Sequence, residues 1–313
     1  MKDTNALNRG LWLGLAGIVI FAATLPLTRL AVGTPEAPHM SSIFVALARA
    51  ALAASLAGLY LLATRAPWPQ RHEWRPLVLV ALGVVLGFPL LTSVALRYVE
   101  AAHAGVILGL MPLLTAAAGA LLQRQRPAAG FWWCAGLGSA LVVTYALVRA
   151  GAGTHLRFEP ADLLLLAAAL CAAMGYAFGG RLSHTMRPEH VISWALLLAL
   201  PLSLPATWLL WPAQPVPASA WWALVYLGVF SMWLGFFAWY RGLVLGGTVR
   251  VSQVQLLQPF ITMLFAVPLL GEKLDALTVG FALAVICTVF LSKKMAVHPA
   301  PGPSAADNAS LKG

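Results

Sequence analysis

Two features of this 313-residue chain combine residue type and spacing in a way that can do chemistry: an arginine inside an apolar run, and a polar stripe between residues 252 and 262. Arg49 stands nine residues past Met40, which on a helix rising ~1.5 Å per residue puts it roughly 14 Å along the run. In a hydrocarbon core ~30 Å thick, an unpaired charge at that depth costs at least ~2.5 kcal/mol, so the side chain must face protein or water. It can hold an anionic group such as a carboxylate, or it can anchor its own helix to backbone carbonyls. The stripe is Ser252, Gln255, Gln258 and Thr262, which at ~100° per residue fall within about a third of a helix circumference. Amides and hydroxyls on one face can orient a polar or zwitterionic solute from a cavity wall, and the same groups can join helices together. The cavity wall is the favoured reading.

Aromatic side chains are the next candidates. Trp233, Phe236, Phe237, Trp239 and Tyr240 crowd one run, and Tyr176 lies within another. Tyr176 and Trp233 are expected to stack on a solute. Trp239 and Tyr240, near the predicted end of their run, read as interfacial anchors, together with tryptophans at other run ends such as Trp12, Trp68, Trp133 and Trp222. Glu100 and His103 sit together at a run boundary; histidine titrates near neutral pH, so they form either a proton-linked gate or a solvated loop end. No Asp or Glu lies near the midpoint of any apolar run, which leaves a deep carboxylate relay without support. Cys134, Cys171 and Cys287 stand singly without metal-ligand spacing and read as small buried hydrophobes, so neither a metal site nor a cofactor is expected.

Ten apolar stretches must position these residues: 10–31, 40–63, 75–96, 103–122, 129–148, 160–180, 190–210, 220–240, 249–270 and 275–293. Each is about the ~20 residues that a helix needs to cross a bilayer. The chain is 60% hydrophobic and only 10% charged, with a mean hydropathy of +0.83, against ~25% charged in a soluble domain. The expected fold is therefore an all-α integral membrane protein of ten transmembrane helices. The first stretch follows Lys2 and Arg9 as a signal peptide would, but it continues to about Ala31, too long for an h-region, and reads as a retained span.

The formal charge of +10 raises nucleic acid as a partner, yet the basic residues are dispersed and form no run interleaved with aromatics. Topology accounts for them instead. With the N-terminus inside, fourteen of the twenty Lys and Arg fall in cytoplasmic segments; only Arg29, Arg97, Arg149, Arg157 and Lys273 fall outside, and Arg49 lies within a span. Both termini are predicted cytoplasmic, in a bacterial inner membrane. The segments are then a cytoplasmic N-terminus (1–9), a first five-helix repeat (10–148), an outer connecting loop (149–159), a second repeat (160–294) and a disordered tail (295–313).

The repeat comes from sliding the chain against itself by 147 positions, which aligns Trp74 with Trp221, Pro112 with Pro259 and Thr115 with Thr262. Each tryptophan opens the third stretch of its half, and each proline lies near the middle of the fourth. Five is odd, so the halves insert with inverted topology, an architecture of secondary transporters that bind solute near the midplane. A mid-span proline removes an amide donor, which is expected to free the backbone oxygens of Leu108 and Gln255. Such oxygens are tolerated facing protein or a wet cavity; a purely structural kink is the equal alternative.

The ten spans, the five-plus-five repeat, Arg49 after Pro38, and the pair of segments running from Ala102-His103-Ala104-Gly105 to Pro112 and from Val251-Ser252 through Pro259 to Gly271-Glu272-Lys273-Leu274 together resemble the drug/metabolite transporter superfamily, EamA type. The resemblance covers roughly residues 10 to 294. It implies that spans one to four and six to nine surround a central cavity, that spans five and ten are peripheral, and that small metabolites, amino acids or toxic compounds are exported. The chain departs from the family pattern in ending its fourth span with Gln123-Arg124-Gln125-Arg126, where a Glu is common, and in carrying Leu200 opposite Arg49.

The chain has no Gly-x-x-x-x-Gly-Lys-Ser/Thr loop, no His-Glu-x-x-His and no Gly-x-Ser-x-Gly, which argues against an ATP-driven pump or an intramembrane enzyme. The expected function is secondary transport; the alternative is a non-transporting sensor or assembly factor whose spans bury nothing but apolar contacts. The expected partners are a small-molecule substrate, the lipid bilayer and a second copy meeting through the peripheral helices.

Overall fold

Ala, Leu, Val and Gly carry no side chain that competes for backbone hydrogen bonds, so each apolar run closes its own ladder, as a bilayer demands. The computed structural model describes residues 2–33, 38–95, 107–150, 160–270 and 276–299. Its helices are α1 (Lys2–Ala22), α2 (Thr24–Val32), α3 (Ser42–Ala63), α4 (Trp74–Val80), α5 (Phe88–Ala95), α6 (Met111–Leu122), α7 (Ala129–Ala150), α8 (Pro160–Leu182), α9 (Pro188–Leu209), α10 (Ala218–Tyr226), α11 (Gly235–Gly246), α12 (Thr248–Val251), α13 (Gln258–Leu270) and α14 (Ala276–Lys294). Glu100 and His103, the closing Gly271 to Leu274 and the tail from residue 300 lie outside the described residues.

Among the described residues, eight helical stretches are long and apolar enough to cross a membrane. In the other two predicted spans a proline marks the point where the described helix is interrupted. In one, α6 begins afresh at Met111 with Pro112 in its first turn, where a missing N–H costs nothing. In the other, α12 passes into a 3-10 stretch, Ser252–Leu257, before α13 starts. Two further irregularities are π-helical: Ala81–Gly87 joins α4 to α5, and Leu227–Leu234 joins α10 to α11.

Small residues set the packing. A methyl group at Gly10 would meet the backbone of Gly246, and one at Gly242 would come within 2.7 Å of Gly14 N, so α1 and α11 approach backbone to backbone. At Gly83, in the first π stretch, an added carbon would lie 3.1 Å from Gly175 of α8. α3 and α9 meet through Ala50, Ala53, Ala54 and Ala57 against Val191, Ala195, Leu196 and Ala199 in the main apolar cluster. To one side, α7 and α14 pair around Val142, Tyr145 and Val285.

Beyond α14 the chain is not a tail at once. Val297–Pro299 pairs antiparallel with Gln125–Pro127, with Arg126 opposite His298, and Arg250 donates to the Met295 carbonyl at 3.0 Å. The sequence reading of 295–313 as disordered thus stops short at residues 295–299, because a strand pair depends on a distant partner that composition does not reveal.

Candidate functional site

Arg49 sits about two turns into α3, on a helix whose neighbouring positions are mostly alanine. That lets the second π stretch approach: a methyl at Gly228 would come within 3.2 Å of the Arg49 carbonyl. The side chain is 8% exposed, and its Nε is enclosed without a hydrogen-bond partner. Among the described residues the guanidinium makes no hydrogen bond and no ion pair, so the carbonyl anchor considered for it lacks its bonds. Its electrostatic neighbour is Tyr176 of α8.

Tyr176 leads from the cation to an aromatic group. Its ring centroid lies 5.3 Å from that of Trp239 and 6.0 Å from that of Phe236. Phe21 of α1 closes the group at 5.0 Å from Phe236 and 6.4 Å from Trp239. Trp239 and Tyr240 are wholly buried, which corrects their assignment to the interfacial belt. The predicted span stops at 240, whereas the helix runs on to Gly246, so both rings lie well inside it. Room for them comes from glycine: a methyl at Gly17 would stand 3.1 Å from Trp239 Cβ, and one at Gly179 would collide with the Tyr240 ring.

Trp233 belongs to a different group. Its Nε1 donates to Ser193 Oγ at 2.9 Å, and its ring packs with Tyr60 and Phe237. Phe236, Trp239 and Tyr240 project toward α1 and α8, while Trp233 and Phe237 project toward α3 and α9, so no ring contact brings Trp233 to Tyr176 among the described residues.

The polar stripe is sharpened by its backbone. Pro259 has no N–H to give the Gln255 carbonyl, which instead accepts from Gln258 N–H. That i to i+3 bond is the 3-10 turn, and it means the oxygen expected to be free is taken. Because side chains three apart eclipse in a 3-10 helix, Ser252, Gln255 and Gln258 stand in one line. The stretch ahead of Pro112 tightens likewise, with Leu110 N–H on the Ile107 carbonyl at 3.1 Å.

The stripe residues are spent unequally. Ser252 Oγ donates to its own Val249 carbonyl at 2.8 Å. Thr262 Oγ1 donates to the Ala22 carbonyl at 2.9 Å, the oxygen that Pro26 cannot serve, so Thr262 joins α13 to the α1–α2 junction. Its repeat counterpart, Thr115, is buried and donates to Met111 at 2.8 Å. Gln258 is half-buried. Gln255 is different: it is 3% exposed, and both its Oε1 and Nε2 lack partners among the described residues. Gln253, which sequence reasoning passed over, is also buried, with its Oε1 unpartnered among the described residues. It falls off the stripe by helical counting, though its type was visible.

A cavity of about 410 Å³ opens between the loops after α3 and α8, beside Trp68, Glu73, Arg187 and His190. The Glu73 carboxylate accepts from Gln70 N–H at 2.8 Å and from Thr185 Oγ1 at 3.0 Å, stapling those two loops together. No group of three or more metal-ligating side chains occurs among the described residues.

A family model described as the EamA-like transporter family matches residues 8–147 and 159–293. The chain is 42% identical over 300 residues to a Bacillus subtilis (strain 168) protein described as uncharacterized transporter YdeK, covering 94% of this chain and 99% of that one. It is 24% identical over 268 residues to uncharacterized transporter YyaM of the same strain, covering 82% and 85%. A solved crystal structure shares the fold with a TM-score of 0.69 at 20% identity, over 90% of this chain and 96% of that one.

Proposed function

We propose a transport cycle from one premise: this chain belongs to the EamA-like transporter family. It is an integral membrane transporter and not an enzyme. In the proposed cycle ten spans form two five-helix repeats of opposite orientation, and a small organic solute held between them meets each side of the membrane in turn. The direction is outward across a bacterial inner membrane, and the solute is a small metabolite or toxic compound, as the resemblance implies.

The observation that carries this reading is the duplication of irregularities. The π stretches at 81–87 and 227–234 lie one repeat apart, as do the tightened turns ahead of Pro112 and Pro259. Helices interrupted in mid-membrane mark transporter binding sites and hinges. The packing is consistent with the same exchange of halves: α1 lies on α11 as α8 lies on the first π stretch and α5, while α3 pairs with α9 and α7 with α14. Topology has support too. The strand pair and the Glu73 staple put the connections near 70, 126, 185 and 298 together in pairs, and these connections carry Arg65, Arg71, Arg124, Arg126 and Arg187, as cytoplasmic loops should. A second copy against α7 and α14 belongs to the same proposal; Leu137 and Leu283 are exposed there, and lipid satisfies them equally.

Counterflow tests the cycle. Proteoliposomes loaded with excess unlabelled solute should transiently accumulate labelled solute, whereas a channel would show flux with no overshoot. Orientation is tested by cysteines at Arg71 and Ala213: an impermeant thiol reagent should label position 213 in intact cells and not position 71, and the reverse pattern inverts the topology.

A further inference from the structure

Arg49 is a buried charge without an answering charge among the described residues. No acidic residue of the chain falls near the midpoint of an apolar run. Glu73 is occupied by Gln70 and Thr185, Glu189 faces Arg241 at 3.8 Å, and Asp162 lies in the first turn of α8. Removing one partner of a buried ion pair leaves an uncompensated charge that is strongly destabilising; here the chain holds such a charge permanently, mid-helix, beside a tyrosine that also makes no hydrogen bond among the described residues. A guanidinium offers a planar fork of donors that matches a carboxylate or sulfonate, and it stays charged at any physiological pH. Past Tyr176 the surroundings are aromatic, from Phe236 and Trp239 to Phe21.

We infer that the transported solute is an organic monoanion with an apolar or aromatic body, its acidic head held by Arg49 and its body against the Tyr176, Phe236 and Trp239 side. This rests on the transport reading and narrows it. A zwitterion would bring an ammonium into an interior whose unpartnered side-chain oxygens among the described residues, those of Gln253 and Gln255 included, are all neutral, and a cation would meet the charge of Arg49 itself. Since burying an ion without an opposite charge is expensive, both are disfavoured. Net charge also sets the energetics. Export of an anion is favoured by an inside-negative potential, so the cycle needs no deep carboxylate for proton coupling, and the sequence has none near a span midpoint.

Three probes share a benzene ring and differ in charge: benzenesulfonate, phenylalanine and phenyltrimethylammonium. In proteoliposomes of the full chain, benzenesulfonate flux should exceed that of protein-free vesicles at least tenfold and exceed the flux of the other two. Arg49→Gln should lose at least tenfold of it, Arg49→Lys should retain more, and the melting midpoint of ligand-free Arg49→Gln in detergent should equal or exceed that of the wild type. Carriage of phenylalanine or phenyltrimethylammonium in preference, or flux in Arg49→Gln within twofold of wild type, overturns the anion reading and leaves transport standing. If none of the three moves, the transport reading loses its support here, and the anion site is judged by binding: benzenesulfonate must raise the melting midpoint of the wild type and not of Arg49→Gln, and no shift refutes it.

Discussion

Val251 separates two regions made of opposite materials. On one side its methyls fill the space at Gly14 and Gly246, where α1 and α11 lie backbone against backbone. On the other side begins the 3-10 stretch, whose Gln253 and Gln255 are buried yet keep amide atoms without partners among the described residues. The glycine contact is complete in the sense that Gly10 and Gly242 leave no room for another atom, and it is damaged by adding atoms. The glutamine stretch is incomplete, and it should respond to the loss of polar atoms that the fold itself does not use. Packing density and unmet hydrogen-bonding capacity therefore set the two regions apart, and in the proposed transport cycle the second is the part that takes the solute.

The largest effect should come from the complete side. Gly10→Val places a branched side chain against the Gly246 backbone, where nothing flexible can yield; overpacking costs about 1–3 kcal/mol or more. Folded yield and melting midpoint in detergent should fall sharply. Gly136→Ala, with no atom near its added carbon, should change neither. A tolerated Gly10→Val would mean that α1 and α11 can part, and the contrast would collapse.

Thr262→Val tests the boundary between the two regions. Its hydroxyl serves the Ala22 carbonyl left by Pro26, so the variant should lose about 0.5–1.5 kcal/mol of stability with solute affinity per folded molecule unchanged. A loss of affinity without a loss of stability would return Thr262 to the solute site. The smallest effect is expected at Glu100, far in sequence from the 3-10 stretch: Glu100→Gln should leave more than half of the flux. Abolished flux with normal folding would place a proton step there.

The helices were legible in the sequence because apolar runs of bilayer length have few alternatives, and the predicted span 40–63 meets α3 at Ser42–Ala63. Irregularity was legible where proline caused it, at 112 and 259, and illegible where the helix widened into π turns, since nothing in Leu227 to Leu234 announces them. That omission also misplaced Trp239 and Tyr240, whose depth was counted to a span end six residues too early. At the site, residue type identified Arg49, Tyr176 and Gln255. Partnership could not be read: the sequence gives no sign that Thr262 bonds Ala22 or that Trp233 bonds Ser193, because both depend on helix pairs more than a repeat or an aromatic run apart.

The account rests most on Gln255, whose unpartnered amide the fold leaves over. Gln255→Leu keeps the volume and removes the hydrogen-bonding atoms, so solute dissociation constants and detergent melting should be measured on the same preparations. Apparent affinity is predicted to fall twofold to tenfold, equivalent to about 0.5–1.5 kcal/mol, with melting unchanged or raised. Unchanged affinity together with a lowered melting midpoint would contradict the account and make Gln255 a residue that joins helices.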